Sequence, residues 1–64
     1  MIKASDIRAE RARQRMTQQE LSDKSGVGLT TIIRMESEKH GTGKAYFANV
    51  MAVAKVLGLI RGDK

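Results

Sequence analysis

Met16-Thr17-Gln18-Gln19-Glu20-Leu21-Ser22-Asp23-Lys24-Ser25-Gly26-Val27 is the stretch on which the fold turns. Thr17 followed three residues later by Glu20 is a capping box. The threonine hydroxyl can accept from the Glu20 amide while the Glu20 carboxylate reaches back to the Thr17 amide, so unsatisfied donors at a helix start find partners reciprocally. Leu21 then points inward. The helix is predicted to run to about Ser25, where Gly26 supplies the left-handed residue that ends it. Val27 stands alone between Gly26 and Gly28, which reads as a tight turn with an apolar plug into a core.

Working outward, a third helix is predicted over about residues 28–37. Ile32 and Met35 share one face at i, i+3, and Leu29, Thr30, Ile33, Arg34 and Ser37 lie on another. Upstream, a first helix is predicted over about residues 5–15, with Ser5 the better N-cap by residue type. Asp6 suits the positive end of its dipole, and Arg11, Arg13 and Arg15 suit the negative end. Its apolar stripe, Ile7, Ala9 and Ala12, is thin, so it must lean on a core. Residues 38–44 read as a polar loop carrying Gly41 and Gly43. The last helix holds Phe47, Val50, Val53, Ala54 and Leu57 at helical spacing. It starts near Tyr46, the first apolar contact, or at Asn49, the better cap by type, and ends at Gly58. Leu59 and Ile60 return to the core or dock on a partner chain, and residues 61–64 form a frayed tail. Helical spacing dominates throughout, with no proline, so the expectation is an all-α single domain over residues 1–64, core about 5–60, of four helices.

Sixty-four residues allow one small domain, and a domain of this size buries only about 60% of the surface its unfolded chain exposes. There is no cysteine, so neither a disulfide nor a thiolate zinc site reinforces the core. Efficient helix packing or self-association must do so. Twelve lysines and arginines against seven acidic residues give a net charge of +5, an excess that favours a polyanionic partner. A basic protein with no such partner fits the charge equally well. With Tyr46 and Phe47 as the sole aromatics, stacking readers of single-stranded nucleic acid are disfavoured. No apolar run approaches the roughly 20 residues that span a bilayer, and residues 1–6 lack the apolar core of a signal peptide. The expected location is cytoplasmic.

The motifs carry a resemblance. "MTQQELSDKSGV" at residues 16–27, "TTIIRME" at residues 30–36, and Ala54-Lys55-Val56-Leu57-Gly58 together resemble the lambda-repressor/Cro-like family, also called the XRE family, of helix-turn-helix domains. The resemblance extends over about residues 7–59. It implies a compact four-helix fold, with a short fifth helix in some members, in which the third helix enters the DNA major groove.

Carried onto this chain residue by residue, it implies that Thr17 and Gln18 open the second helix against a DNA phosphate, aided by the helix N-terminus. Gly28 and Thr31, at the start of the third helix, would touch phosphate as well. With Ile32 and Met35 buried, Leu29, Thr30, Ile33 and Arg34 would face the bases. Arg34 can pair bidentately with the O6 and N7 of guanine, or else contact phosphate alone. Thr30 can bond a base edge, and Leu29 and Ile33 can meet thymine methyl groups. Ile33 fits a core or dimer position equally well. Arg11 and Glu36 fall where the family places a structural ion pair. Lys39 and Lys44, in the loop with His40, would reach the phosphate strand, or the loop is simply solvated.

Departures accompany the resemblance. Gly28 stands where the family often has Ser or Thr, and Arg15 where a glycine often ends the first helix. The segment between Glu36 and the last helix is about four residues longer than in common members. The chain stops soon after the fourth helix, so a full fifth helix is not expected.

Other chemistries lack their residues. Gly41-Thr42-Gly43-Lys44 echoes a phosphate loop, but Glu38 replaces the first glycine, Ala45 follows the lysine, and no strand precedes it. His40 has no ligand-spaced partner for a metal, and neither a Ser-His-Asp set nor a paired-carboxylate cleft is apparent. No enzyme, cofactor, metal or small-molecule ligand is expected. The expected function is a sequence-specific transcriptional regulator, a repressor, binding double-stranded DNA as a homodimer. Dimer contacts near residues 47–60 are placed by analogy with the family. The alternatives are a protein adaptor or toxin-neutralising partner on the same fold, and a basic amphipathic protein on acidic membranes, which the thin stripe of the first helix disfavours.

Overall fold

The structure, a computed structural model, describes residues 2–37 and 39–60, without the side chain of Lys44. Four α-helices follow one another: α1 (Ala4–Arg13), α2 (Gln18–Ser25), α3 (Leu29–Glu36) and α4 (Phe47–Leu57), with one 3₁₀ turn over Thr42–Lys44 between α3 and α4. Among the described residues there is no strand.

Each helix donates a few residues to one shared core. Ile7 of α1, Leu21 of α2, Ile32 and Met35 of α3, and Val53 of α4 are wholly buried, joined by Val27, Val50 and Leu57. Val27 is the plug predicted from its place between glycines. A stripe as thin as that of α1 therefore suffices, because Ile7 joins a core to which all four helices contribute, with α1 packed against both α3 and α4. Met16, Ala52, Val56 and Leu59 pack against the rim of this core. Leu59 thus folds back onto the domain, and no fifth helix occurs among the described residues. The predicted frayed tail, residues 61–64, lies outside the described residues.

Helix ends follow backbone chemistry more than residue type. The α2 capping box forms as predicted: Glu20 N–H donates to Thr17 Oγ1 at 3.0 Å and Thr17 N–H to Glu20 Oε1 at 2.8 Å. The expectation of Ser5 as the α1 cap is corrected. The helix starts at Ala4 with Lys3 at the cap position, where Lys3 N–H donates to Asp6 Oδ2 at 2.8 Å. A carboxylate one turn in satisfies the entry donor that a capping hydroxyl would leave unmet. For α4, Asn49 is not the cap. Its N–H and that of Val50 both donate to the Tyr46 carbonyl, at 3.0 and 3.1 Å, so the helix is already under way. The α3 bounds draw in by one residue at each end, leaving Gly28 and Ser37 as its caps. The α1 helix stops at Arg13, and Arg15 takes a left-handed φ of 55°.

Thr17→Ala is expected to cost about 1 kcal/mol, the usual loss for a capping hydroxyl, read as a lower melting temperature. The two bonds from Thr17 hold the Glu20 carboxyl below its ordinary pKa, the backbone bond contributing most. Its share of stability is therefore present above the ordinary carboxylate range and fades as pH falls through the lowered value. Glu20→Ala should flatten that part of the acid-denaturation curve, and an unchanged acid limb would count against the cap.

Candidate nucleic-acid interface

The unit α2–turn–α3 is built by local bonds. Gly26 (φ 77°) reverses the chain, its N–H bonded to the Ser22 carbonyl at 2.9 Å. Ser22 Oγ then donates to the Val27 carbonyl at 2.6 Å, and Val27 N–H donates to Ser25 Oγ at 3.2 Å. These two serines tie the turn to the end of α2 and drive Val27 into the core. The relation of α3 to α2 is thereby set by the turn's own polar groups, before any core contact is considered.

A second constraint comes from α1. The Arg11 guanidinium grips the Glu36 carboxylate through two bonds, Nε–Oε2 at 2.6 Å and Nη2–Oε1 at 3.0 Å, and its Nη1 donates to the Met16 carbonyl at 2.8 Å. Glu36 is 4% exposed and the Arg11 side chain 18%. The bond to Glu36 raises the Arg11 pKa further above its ordinary value, outweighing the opposite pull of burial, so the arginine stays charged. Gln18 Nε2 donates to Glu36 Oε1 at 3.1 Å, and Arg8 Nη1 donates to the Glu36 carbonyl at 2.6 Å. The C-terminal end of α3 is thus anchored to α1 and to the first residue of α2 at one point. Among the described residues no buried side-chain polar atom lacks a partner.

Anchored on that side, α3 presents its other side outward. Ile32, Met35 and Glu36 are buried, whereas Thr30, Ile33 and Arg34 are exposed and Leu29 and Thr31 half-buried. Ile33 is 47% exposed, which removes the option of a core position within this chain. The Arg34 side chain has no hydrogen bond or ion pair to any described residue, while its backbone carbonyl accepts from Ser37 N–H at 3.1 Å. A shallow cavity of about 280 Å³ opens beside it, bounded by Thr31, Met35, His40, Tyr46 and Asn49.

A family model described as helix-turn-helix matches residues 7–61. The chain belongs to the lambda-repressor-like, or XRE, helix-turn-helix family. That family is one of DNA-binding regulatory domains. Comparison with curated proteins and with solved structures gives no match.

The matched span takes in α2, the turn and α3 whole, so the helix-turn-helix unit of the family corresponds to these elements. The sequence-predicted base-facing set, Leu29, Thr30, Ile33 and Arg34, lies together on the open side of α3. Thr17 and Gln18 sit at the N-terminus of α2, and Arg11 and Glu36 meet as the predicted pair. Gly28 is the α3 N-cap without a side chain to bond the helix, and its φ of −58° does not require glycine. A Cβ built there would have Thr31 Oγ1 at 4.0 Å as its nearest neighbour, so there is room for one. Gly28→Ser is expected to stabilise the domain by a few tenths of a kcal/mol, visible as a small rise in melting temperature.

The loop is more ordered than its composition implies. Thr42 Oγ1 donates to the Ile2 carbonyl at 2.7 Å, and Gly41 N–H donates to the Ser37 carbonyl at 2.6 Å with φ 65°. The first bond ties the segment to Ile2, and the second closes a turn at the end of α3. Lys39 is exposed, its N–H bonded to Ser37 Oγ at 3.2 Å. The predicted phosphate contact of the Lys44 side chain falls outside what is described. Three supports were not legible beforehand: Arg8 on the α3 C-terminus, Gln18 on Glu36, and Gln14, whose Nε2 donates to the Leu57 carbonyl at 2.9 Å. All three join residues far apart in sequence, and no local pattern marks a glutamine or arginine for such a bond.

Proposed function

We propose that this chain is a sequence-specific regulator of transcription that binds double-stranded DNA through α3, acting in the cytoplasm as a repressor by occupying its site. The observation that supports this reading best is the open face of α3. Thr30, Ile33 and Arg34 stand clear of the domain while Ile32, Met35 and Glu36 hold the helix from behind. Phosphate contacts from Thr17, Gln18, the N-termini of α2 and α3 (Gly28 and Thr31 at the latter), Lys39 and Lys44 set the register. Arg34 and Thr30, with apolar help from Leu29 and Ile33, set the base preference.

One module of this size covers few base pairs, so the working form is a homodimer on half-sites about 34 Å apart. The second copy is placed against α4, where Tyr46 and Phe47 are 83% and 76% exposed. Phe47 lies there on the rim of an apolar groove of about 440 Å³ floored by Ile2, Val50 and Met51. A +5 chain can approach a copy of itself there without facing like charge, since Lys55 is the one charged residue of α4.

The test is a titration of labelled random duplex across a salt series, followed by selection of preferred sites. Affinity that falls steeply with salt, as released counterions require, followed by convergence on a short two-fold-related sequence, is the expected result. Absence of duplex binding at low salt would reject DNA as the partner and favour a protein-binding role for the same fold.

A further inference from the structure

Three helices of this domain are followed by a left-handed residue: Gly26 after α2 (φ 77°), Gly58 after α4 (φ 80°) and Arg15 after α1 (φ 55°). The ends of α1 and α4 are the same backbone motif. Arg15 N–H bonds the Ala12 carbonyl at 3.0 Å and Met16 N–H the Arg11 carbonyl at 3.0 Å; Gly58 N–H bonds Lys55 at 3.2 Å and Leu59 N–H bonds Ala54 at 2.9 Å. Both are Schellman ends, a place where glycine is favoured because it has no Cβ to crowd the carbonyl. Arg15 is the one non-glycine residue at positive φ among the described residues. An arginine therefore stands where glycine would complete the same bonds with less strain.

The side chain does nothing for the domain that would offset this. Arg8 bonds the Glu36 carbonyl, Arg11 bonds the Glu36 carboxylate, and Arg13 is paired with Glu10. Arg15 is exposed, and its guanidinium has no hydrogen bond or ion pair to any described residue. It sits two residues before Thr17, on the approach to the end of α2 assigned above to the DNA backbone. Persistent backbone strain without an internal benefit points to an external one.

We infer that Arg15 is a DNA-backbone clamp: its guanidinium bonds a phosphodiester next to the one met by Thr17 and Gln18, extending the interface onto the α1–α2 turn. The inference rests on the DNA-binding reading above. A planar fork of N–H donors suits two phosphate oxygens and carries no base preference.

The experiment uses the full chain, a labelled random-sequence duplex and thermal melts. Arg15→Gly should melt about 2–6 °C higher as the strain is relieved. It should bind duplex about 5- to 10-fold more weakly at low salt, with the slope of log affinity against log salt reduced by about one. Arg15→Asn, which tolerates the left-handed conformation without charge, should lose the same affinity. Arg15→Lys should stay within about 2-fold of the unaltered chain, because a point charge still meets phosphate. Lys24→Gln removes an exposed charge from the far end of α2, which is assigned to neither DNA nor the second copy, and should change affinity far less. Unchanged affinity and slope in Arg15→Gly and Arg15→Asn, or an equal loss in Lys24→Gln, would overturn the clamp while leaving DNA binding intact. A lower melting temperature in Arg15→Gly would overturn the premise of strain. If the unaltered chain bound no duplex, the DNA reading itself would fall, and the clamp with it.

Discussion

Arg11→Ala is expected to leave the domain largely unfolded at room temperature. The substitution removes both bonds from the guanidinium to the Glu36 carboxylate and the bond to the Met16 carbonyl. What remains on the carboxylate is the single Gln18 amide at 3.1 Å, for a glutamate that is 4% exposed. Removing one partner of a buried pair costs about 3–5 kcal/mol, because a desolvated charge is left behind. A chain of this length has a total stability of only about 3–10 kcal/mol. The loss is therefore comparable with everything that holds the fold, and it should appear as a collapse of the helical circular-dichroism melt. Removing both charges together tests the cause. Arg11→Met with Glu36→Leu leaves no unpaired charge and should recover most of the stability, since apolar replacements of buried pairs are often neutral or better. If Arg11→Ala melted within about 1 kcal/mol of the unaltered chain, the pair would be a surface decoration and the anchoring of α3 would need another explanation.

Arg34→Ala should do the opposite: leave the melt unchanged and alter recognition. Arg34 is exposed and its side chain makes no bond to any described residue, so trimming it to alanine removes no internal support. At a selected site, we expect a loss of about 1–3 kcal/mol of discrimination at one base pair, the worth of a bidentate contact to guanine. In affinity this is about 5- to 150-fold, confined to duplexes carrying the preferred pair. The pattern across sequences is what decides the role. A weakening that is uniform over all duplexes, with the salt slope lowered by about one, would assign Arg34 to phosphate instead. Unchanged binding would remove it from the interface altogether and with it the proposed reading face of α3.

These two arginines show where sequence reasoning succeeds and where it stops. The outward position of Arg34 follows from helical periodicity once Ile32 and Met35 are set inward, and the structure keeps it there. The Arg11–Glu36 pair was legible only through family resemblance, because the partners are 25 residues apart and nothing local joins them. Gln18 was expected to face DNA, and its amide also steadies the ion pair. The bond from Gln18 to Glu36 depends on how α2 and α3 cross. Nothing in the polar loop predicted over residues 38–44 signals that Thr42 bonds the carbonyl of Ile2, forty residues away.

By itself the sequence determined several features that operate within one or two helical turns: the Thr17–Glu20 cap, the Gly26 reversal with Val27 as its plug, the inward and outward faces of α3, and the end of α4 at Gly58. Capping, left-handed glycine and periodicity are local effects, set by bonds among near neighbours. Only the tertiary structure decided that Glu36 is a buried junction for Arg8, Arg11 and Gln18. It likewise decided that Gln14 ties α1 to α4, that Lys3 rather than Ser5 begins α1, and that Arg15 alone among the described non-glycine residues is held left-handed. Except for Lys3 and Arg15, whose bonds are to near neighbours, these outcomes depend on which distant groups the packing brings within hydrogen-bond reach. Distances through space between remote residues are not encoded in any single stretch of chain.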